Sequence, residues 1–201
     1  MFIMSKILVF LADKMADFEI NLTCHLLAKN NLEIIPIAYE KSVLTALSGL
    51  KYIPRFIISE VTGFSDIDGL IIPGGFHCEQ REELTRLIQK LHSSGKLTAA
   101  ICAGPQYLAR AGLFEKTHYT TTMTVESHKE FFSKAGNFPF PQHMFLDKPV
   151  VREGNVITAK GSAFIDFSIE ILDYFGVFKE KMEKLELAQQ YNSSFSRGIS
   201  F

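Results

Sequence analysis

One cysteine of this chain sits where chemistry is easiest to build. Cys102 ends the apolar run Leu97 to Ile101 and is followed by Ala103, Gly104 and Pro105. The run reads as a strand, the small residues permit a tight turn, and Pro105 suits a first helical position because it has no N–H to leave unsatisfied. A strand, a sharp turn and a helix in that order make a nucleophile elbow, which leaves its side chain on a strained bend. The thiol would also face the helix N-terminus, which favours thiolate and would lower its pKa from about 8.5 toward roughly 3.5–7.5. A thiol of that kind is a nucleophile or a redox sensor.

Two other loops could supply the rest of a site. Gly74 and Gly75 follow the buried run Asp68 to Pro73 and would let backbone approach a ligand, so the N–H groups of Gly75 and Ala103 together could form an oxyanion hole. The loop after the first strand leads to Glu19, in the first turn of a helix. An ionised glutamate beside a thiolate would raise both pKa values, so a glutamate in true contact with Cys102 should be protonated and donate to the sulfur. His77, two residues past Gly75, is a rival general base. His118 is a weaker one, while His25, His92 and His128 fall on helical segments. Cys78 could meet a Cys102 sulfenic acid, and Cys24 lies on an apolar helix face. No grouping of His and carboxylate has metal spacing, so neither a metal nor a cofactor is expected.

The elements that must position these groups alternate along the chain. Strands are expected over Lys6 to Leu11, Leu32 to Tyr39, Asp68 to Pro73, Leu97 to Cys102, His118 to Thr122, Pro149 to Arg152 and Val156 to Ala159. Helices are expected over Asp17 to Lys29, Glu79 to His92, Gly104 to Ala111, Val125 to Ala135, Ser162 to Phe175 and Phe178 to Gln190, with Ser162 as a cap and Gly176 as a stop. Val43 to Leu47 and Lys51 to Ile58 read as a hairpin excursion, with Pro54 confining the second strand to an edge. The alternation predicts an α/β fold, a mostly parallel sheet with helices on both faces, in which sites gather at the carboxyl ends of the strands. One domain over residues 1–201 is expected, with a core from about 6 to 175 and a C-terminal helix and tail over 177–201.

Composition narrows the class. Twenty-one basic against 22 acidic residues give a net charge of −1, which offers no electrostatic footprint for nucleic acid or an anionic membrane. The expected partner is a small molecule. Three cysteines without CxxC spacing argue against a disulfide framework and for a reducing cytoplasm. No stretch approaches the ~18 apolar residues of a membrane span.

Three blocks together resemble a known family: Ala16 to Glu19, Leu70 to Gly75, and Ala99 to Pro105 with its Ala-Ala-Ile-Cys-Ala-Gly-Pro sequence. They look like the signature blocks of the ThiJ/PfpI family, of the Parkinsonism-associated deglycase type, in the class I glutamine amidotransferase-like superfamily. Val156 to Gly161 resembles its closing strand, so the likeness spans about Lys6 to Phe175. The resemblance implies a flavodoxin-like three-layer sandwich, a homodimer, and a reactive cysteine bonded to a protonated glutamate, by position Cys102 and Glu19. It also implies one of several activities, among them glyoxalase, deglycase, isocyanide hydratase, peptidase and oxidation sensor.

Departures from that pattern prune the list. Peptidase-like members carry His directly after the cysteine, where this chain has Ala103, and glutaminase domains carry a Gly where it has Ala100 and a late His-x-Glu pair that it lacks. Deglycase-type members place a His before the closing hairpin; the nearest here is His143, one residue out of register. The leading expectation is a cysteine-dependent hydrolase or lyase attacking a small electrophile such as a 2-oxoaldehyde, with Cys102, Glu19 and His77 or His143 in the proton path. The alternative is a non-enzymatic stress sensor or chaperone-like protein that uses Cys102 oxidation.

Overall fold

In a computed structural model, which describes residues 5–61 and 66–191, seven strands form one sheet in the order β5-β2-β1-β6-β7-β9-β8. Its centre is built from β1 (Lys6–Phe10), β6 (Ile67–Ile72) and β7 (Leu97–Ile101), all parallel and almost wholly buried. Central strands covered on both faces need near-continuous apolar sequence, as Ile7 to Phe10 and Leu70 to Ile72 have. β2 (Glu33–Ala38) and the two-residue β5 (Phe56–Ile57) extend the sheet on one side. On the other side β9 (Val156–Ala159) runs parallel to β7, and β8 (Val150–Glu153) pairs antiparallel with β9 through the turn at Gly154.

Two apolar cores divide the helices. On one face α1 (Phe18–Lys29) and α5 (Phe164–Tyr174) cover Ile7, Val9, Ile71, Ala99 and Ile157. On the other, α2 (Glu82–Ser93) and α3 (Pro105–Arg110) cover Leu8, Phe10, Leu70, Ile72 and Ala100. This is the flavodoxin-like α/β sandwich the sequence predicts, with sheet residues alternating between the two cores. α4 (Val125–Phe131) follows the elbow region, and α6 (Lys181–Tyr191) packs on α5. A small hairpin of β3 (Leu44–Thr45) and β4 (Lys51–Tyr52) projects from the end of β2.

Several boundaries differ from expectation for physical reasons. His118 to Thr122 forms no strand; its one sheet-like link is an isolated bridge from Tyr119 to Phe145. The segment's hydrogen-bonding groups go instead to side chains and loops, with Thr120 N–H donating to Thr158 Oγ1 at 2.9 Å. The expected strand Lys51 to Ile58 breaks at Ile53 and Pro54 into β4 and the edge strand β5. Ser162 caps nothing: it lies in a 3-10 turn, and α5 starts after Ala163 without a side-chain cap. α2 starts three residues later than expected, because the Arg81 N–H is held by Tyr39 Oη at 3.0 Å. The helix expected over Val125 to Ala135 stops at Phe131 and ends in a 3-10 turn. The tail from residue 192 lies outside the described residues. Among those residues no helix is long and apolar enough to cross a membrane.

Candidate active site

The carboxyl ends of β1, β6 and β7 bring three loops together. Cys102, one residue past β7, has φ of 62°, a left-handed conformation that is uncommon for a residue with a side chain. Three hydrogen bonds hold it there. Its N–H donates to Ala159 O at 2.9 Å, and its carbonyl accepts from Thr121 Oγ1 at 2.6 Å and Thr122 N at 3.1 Å. Gly104 and Pro105 then turn directly into α3, so the strained elbow is tied on both sides.

Glu19, only 1% exposed, lies beside it. Its Oε2 accepts the Gly74 N–H at 2.7 Å, and its carboxyl is hydrogen-bonded to the Cys102 thiol. A side chain at Gly74 would place Cβ 2.5 Å from Cys102 Cβ and 2.8 Å from Glu19 Oε2, so no larger residue lets these loops meet. Gly75 has φ of 122°, and a Cβ there would fall 2.2 Å from Lys14 O. The Ala16 N–H bonds to Gly74 O at 2.9 Å and the Phe76 N–H to Lys14 O at 3.0 Å, strapping the glycine loop to the loop after β1. Gly161 closes the far side: a Cβ on it would sit 2.9 Å from Glu19 Oε1 and 3.0 Å from Cys102 Sγ.

Burial raises the Glu19 carboxyl above the ordinary glutamate range. The Cys102 thiol is pushed up to about 12, first by burial and then by the neighbouring Glu19 charge, while Thr122 and the Ala103 N–H pull it down. This departs from the low value the elbow alone predicts. α3 is a helix of six residues, and a short dipole does not offset desolvation together with a carboxylate in contact. The two groups titrate as a pair: removing both protons would leave two like charges side by side in a buried site.

The expected histidines lie elsewhere. His77 Nδ1 accepts from Tyr107 Oη at 2.5 Å and its Nε2 donates to Gly74 O at 3.2 Å, so both ring nitrogens are occupied. Burial pushes its pKa down to about 4. It lines a separate cavity of about 380 Å³ with Tyr39, Cys78, Arg81 and Tyr107, and Cys102 is not in that lining. Cys78 opens on the same cavity rather than on the elbow. His143 is exposed on a 3-10 turn, and its neighbour Gln142 instead lines a cavity of about 430 Å³ that Thr122 borders. His118 pairs with Glu153 at 2.9 Å on the surface. Among the described residues no group of three or more His, Cys, Asp or Glu could hold a metal ion.

Sequence reasoning missed Thr121, Thr122 and Gly161. The signal was the run Thr120 to Thr122, whose β-branched residues read as a strand and so pointed away from a loop of donors.

Known proteins share this arrangement of strands. The chain is 27% identical over 158 residues to Deglycase PfpI of Pyrococcus furiosus, covering 77% of this chain and 89% of the relative. It is 27% identical over 165 residues to Glutathione-independent glyoxalase DJR-1.2 of Caenorhabditis elegans, covering 78% and 81%. The crystal structure of the DJ-1 superfamily protein Atu0886 from Agrobacterium tumefaciens superposes with a TM-score of 0.75 at 29% identity, over 92% of this chain and 96% of that one. A model of the DJ-1/PfpI family matches residues 5–174, from the start of β1 to the end of α5 and through the whole elbow, and the chain belongs to that family.

Proposed function

We propose that this chain is a cysteine-dependent enzyme of the glyoxalase or deglycase kind, acting on the electrophilic carbon of a small metabolite. The observation that carries the reading is the left-handed Cys102 with the buried Glu19 carboxyl hydrogen-bonded to its thiol. In the reactive form the pair holds one proton, on Glu19, leaving sulfur as thiolate. Sγ then attacks an aldehyde carbonyl: a C–S bond forms and the C=O π pair moves to oxygen. The N–H groups of Gly75 and Ala103 hold that oxygen, and Glu19 gives it a proton, which yields a neutral hemithioacetal and a carboxylate ready to take a proton back.

We further propose one domain over the whole chain, acting in the cytoplasm as a homodimer. The dimer is supported by the apolar side chains of Phe18, Leu47, Leu50 and Ile53, which stand exposed where the β3–β4 hairpin meets the start of α1. Asp17 fixes that surface by accepting from Ser48 Oγ at 2.5 Å and Tyr52 Oη at 2.9 Å.

Consumption of methylglyoxal by the purified chain tests the enzymatic reading. Wild type should turn it over, and Cys102→Ser should lose at least about a hundredfold in kcat/KM; equal rates would remove the cysteine from the mechanism. One observation favours a second reading: among the described residues, no imidazole is bonded to the sulfur. Were methylglyoxal untouched while mild peroxide added oxygen atoms to Cys102, an oxidation sensor would be the better account.

A further inference from the structure

Thr122 lies against the elbow that carries the reacting atom, and nothing above gives it a part in the chemistry. Its backbone N–H donates to the Cys102 carbonyl at 3.1 Å, which fixes the residue against the elbow. Its Oγ1 accepts the Gly161 N–H at 2.8 Å. Gly161 in turn lies against the sulfur, as the 3.0 Å approach of a Cβ built there shows. A hydroxyl has one proton, and an oxygen already receiving an N–H from one side directs that proton elsewhere. Here the group beside it is Cys102 Sγ, against which Gly161 packs and whose pKa the Thr122 side chain draws down. Thr122 is also solvent-exposed and borders the 430 Å³ cavity along with Met123 and Gln142.

We propose that Thr122 is a catalytic hydroxyl: it donates its O–H to Cys102 Sγ and stabilises the sulfur as thiolate. The inference rests on the reading of Cys102 as the working nucleophile. A threonine hydroxyl does not ionise near neutral pH, so it supplies a hydrogen bond and no proton acceptor. Proton traffic then falls to Glu19 alone, and the site should take electrophiles whose reaction with sulfur needs one carboxyl and no second base, small aldehydes first among them.

The test is the rate of Cys102 alkylation by iodoacetamide as a function of pH in wild type, Thr122→Val, Thr122→Ala and Thr122→Ser, with Tm measured on each. Valine and alanine should raise the apparent thiol pKa by about half to one unit, a three- to tenfold loss of thiolate at any pH below the transition. Serine, which keeps the O–H, should restore it. If valine and alanine lower Tm while the pKa stays at the wild-type value, the hydroxyl serves only the Gly161 N–H and the proposal is wrong. A serine variant that behaves as valine does would overturn it equally. Should valine fail to fold, alanine carries the same comparison. Cys102→Ser separates this from the broader reading: a fast-reacting thiol that survives that change sinks the nucleophile assignment itself, whereas a Cys102 that reacts equally fast in all four proteins sinks only Thr122.

Discussion

At the scale of single residues, the sign of one interaction decides how the site works. A Glu19 that is protonated and donating to Sγ stabilises the thiolate, and an ionised one repels it. Glu19→Gln keeps a donor and should leave the thiol pKa near its wild-type value. Glu19→Leu removes the donor and should raise it by roughly one to two units, the worth of a hydrogen bond to a charged group. A fall in pKa on Glu19→Leu, read from alkylation rate against pH, would falsify the protonated-glutamate arrangement. The glycine loop sets a second residue-scale limit. A methyl group on Gly75 meets Lys14 O at 2.2 Å from a backbone that already needs positive φ. Gly75→Ala should therefore cost several-fold more activity toward methylglyoxal than Gly95→Ala, where a Cβ at positive φ meets open space. Equal activities of the two variants would show that the loop does not need its close approach to Lys14 O.

At the scale of elements, the carboxyl of Glu19 is placed by the seating of α1 on α5. Buried Thr23 Oγ1 lies 2.8 Å from Ser168 Oγ, which itself donates to Phe164 O at 2.7 Å. The serine proton is thus committed, and Thr23 is the donor across the helix pair. Thr23→Val keeps shape and removes that donor, at a cost of about 1 kcal/mol. For a chain of this size Tm should fall by about 2–4 °C, with Thr23→Ser near wild type; an unchanged Tm in the valine variant would mean the bond contributes nothing. The sequence shows these helices and the central strands clearly, because their apolar spacing is set by burial on two faces. It shows Cys102, Gly74 and Gly75 for a similar reason, since tight turns and close approaches demand small residues locally. Thr122 and Gly161 are not legible in that way. Their meaning comes from contacts between segments distant in sequence, and the β-branched run Thr120 to Thr122 satisfies strand propensity while spending its hydrogen bonds on Cys102, Thr158 and Gly161. His77 misled for a different reason: nearness in sequence to Gly75 says nothing about which side of the loop the ring faces.

At the scale of the whole molecule, the buried titratable groups set how stability responds to pH. His77 has its pKa pushed down from 6.5 to about 4, because burial and the Arg110 charge disfavour the imidazolium by more than its bond to the Gly74 carbonyl favours it. Below pH 6.5 the unfolded chain takes up a proton at this position that the folded one refuses until about pH 4, so folding stability drops as pH falls through that window. The ceiling of the effect is of order 3 kcal/mol, and the partly exposed edge of the ring makes the realised value smaller. Glu19 acts with the opposite sign: its raised pKa means the fold keeps a proton the unfolded chain has released, and stability is lost as pH rises through the folded value. Thermal melts between pH 4 and pH 8 should therefore show an acid limb that His77→Gln flattens, by several degrees at about pH 4–5 relative to its own Tm at neutral pH. Glu19→Gln should leave that acid limb in place and reduce the decline on the alkaline side. Parallel acid limbs in wild type and His77→Gln would place the acid sensitivity in the carboxylate ion pairs of the surface and show that the buried imidazole does not govern it.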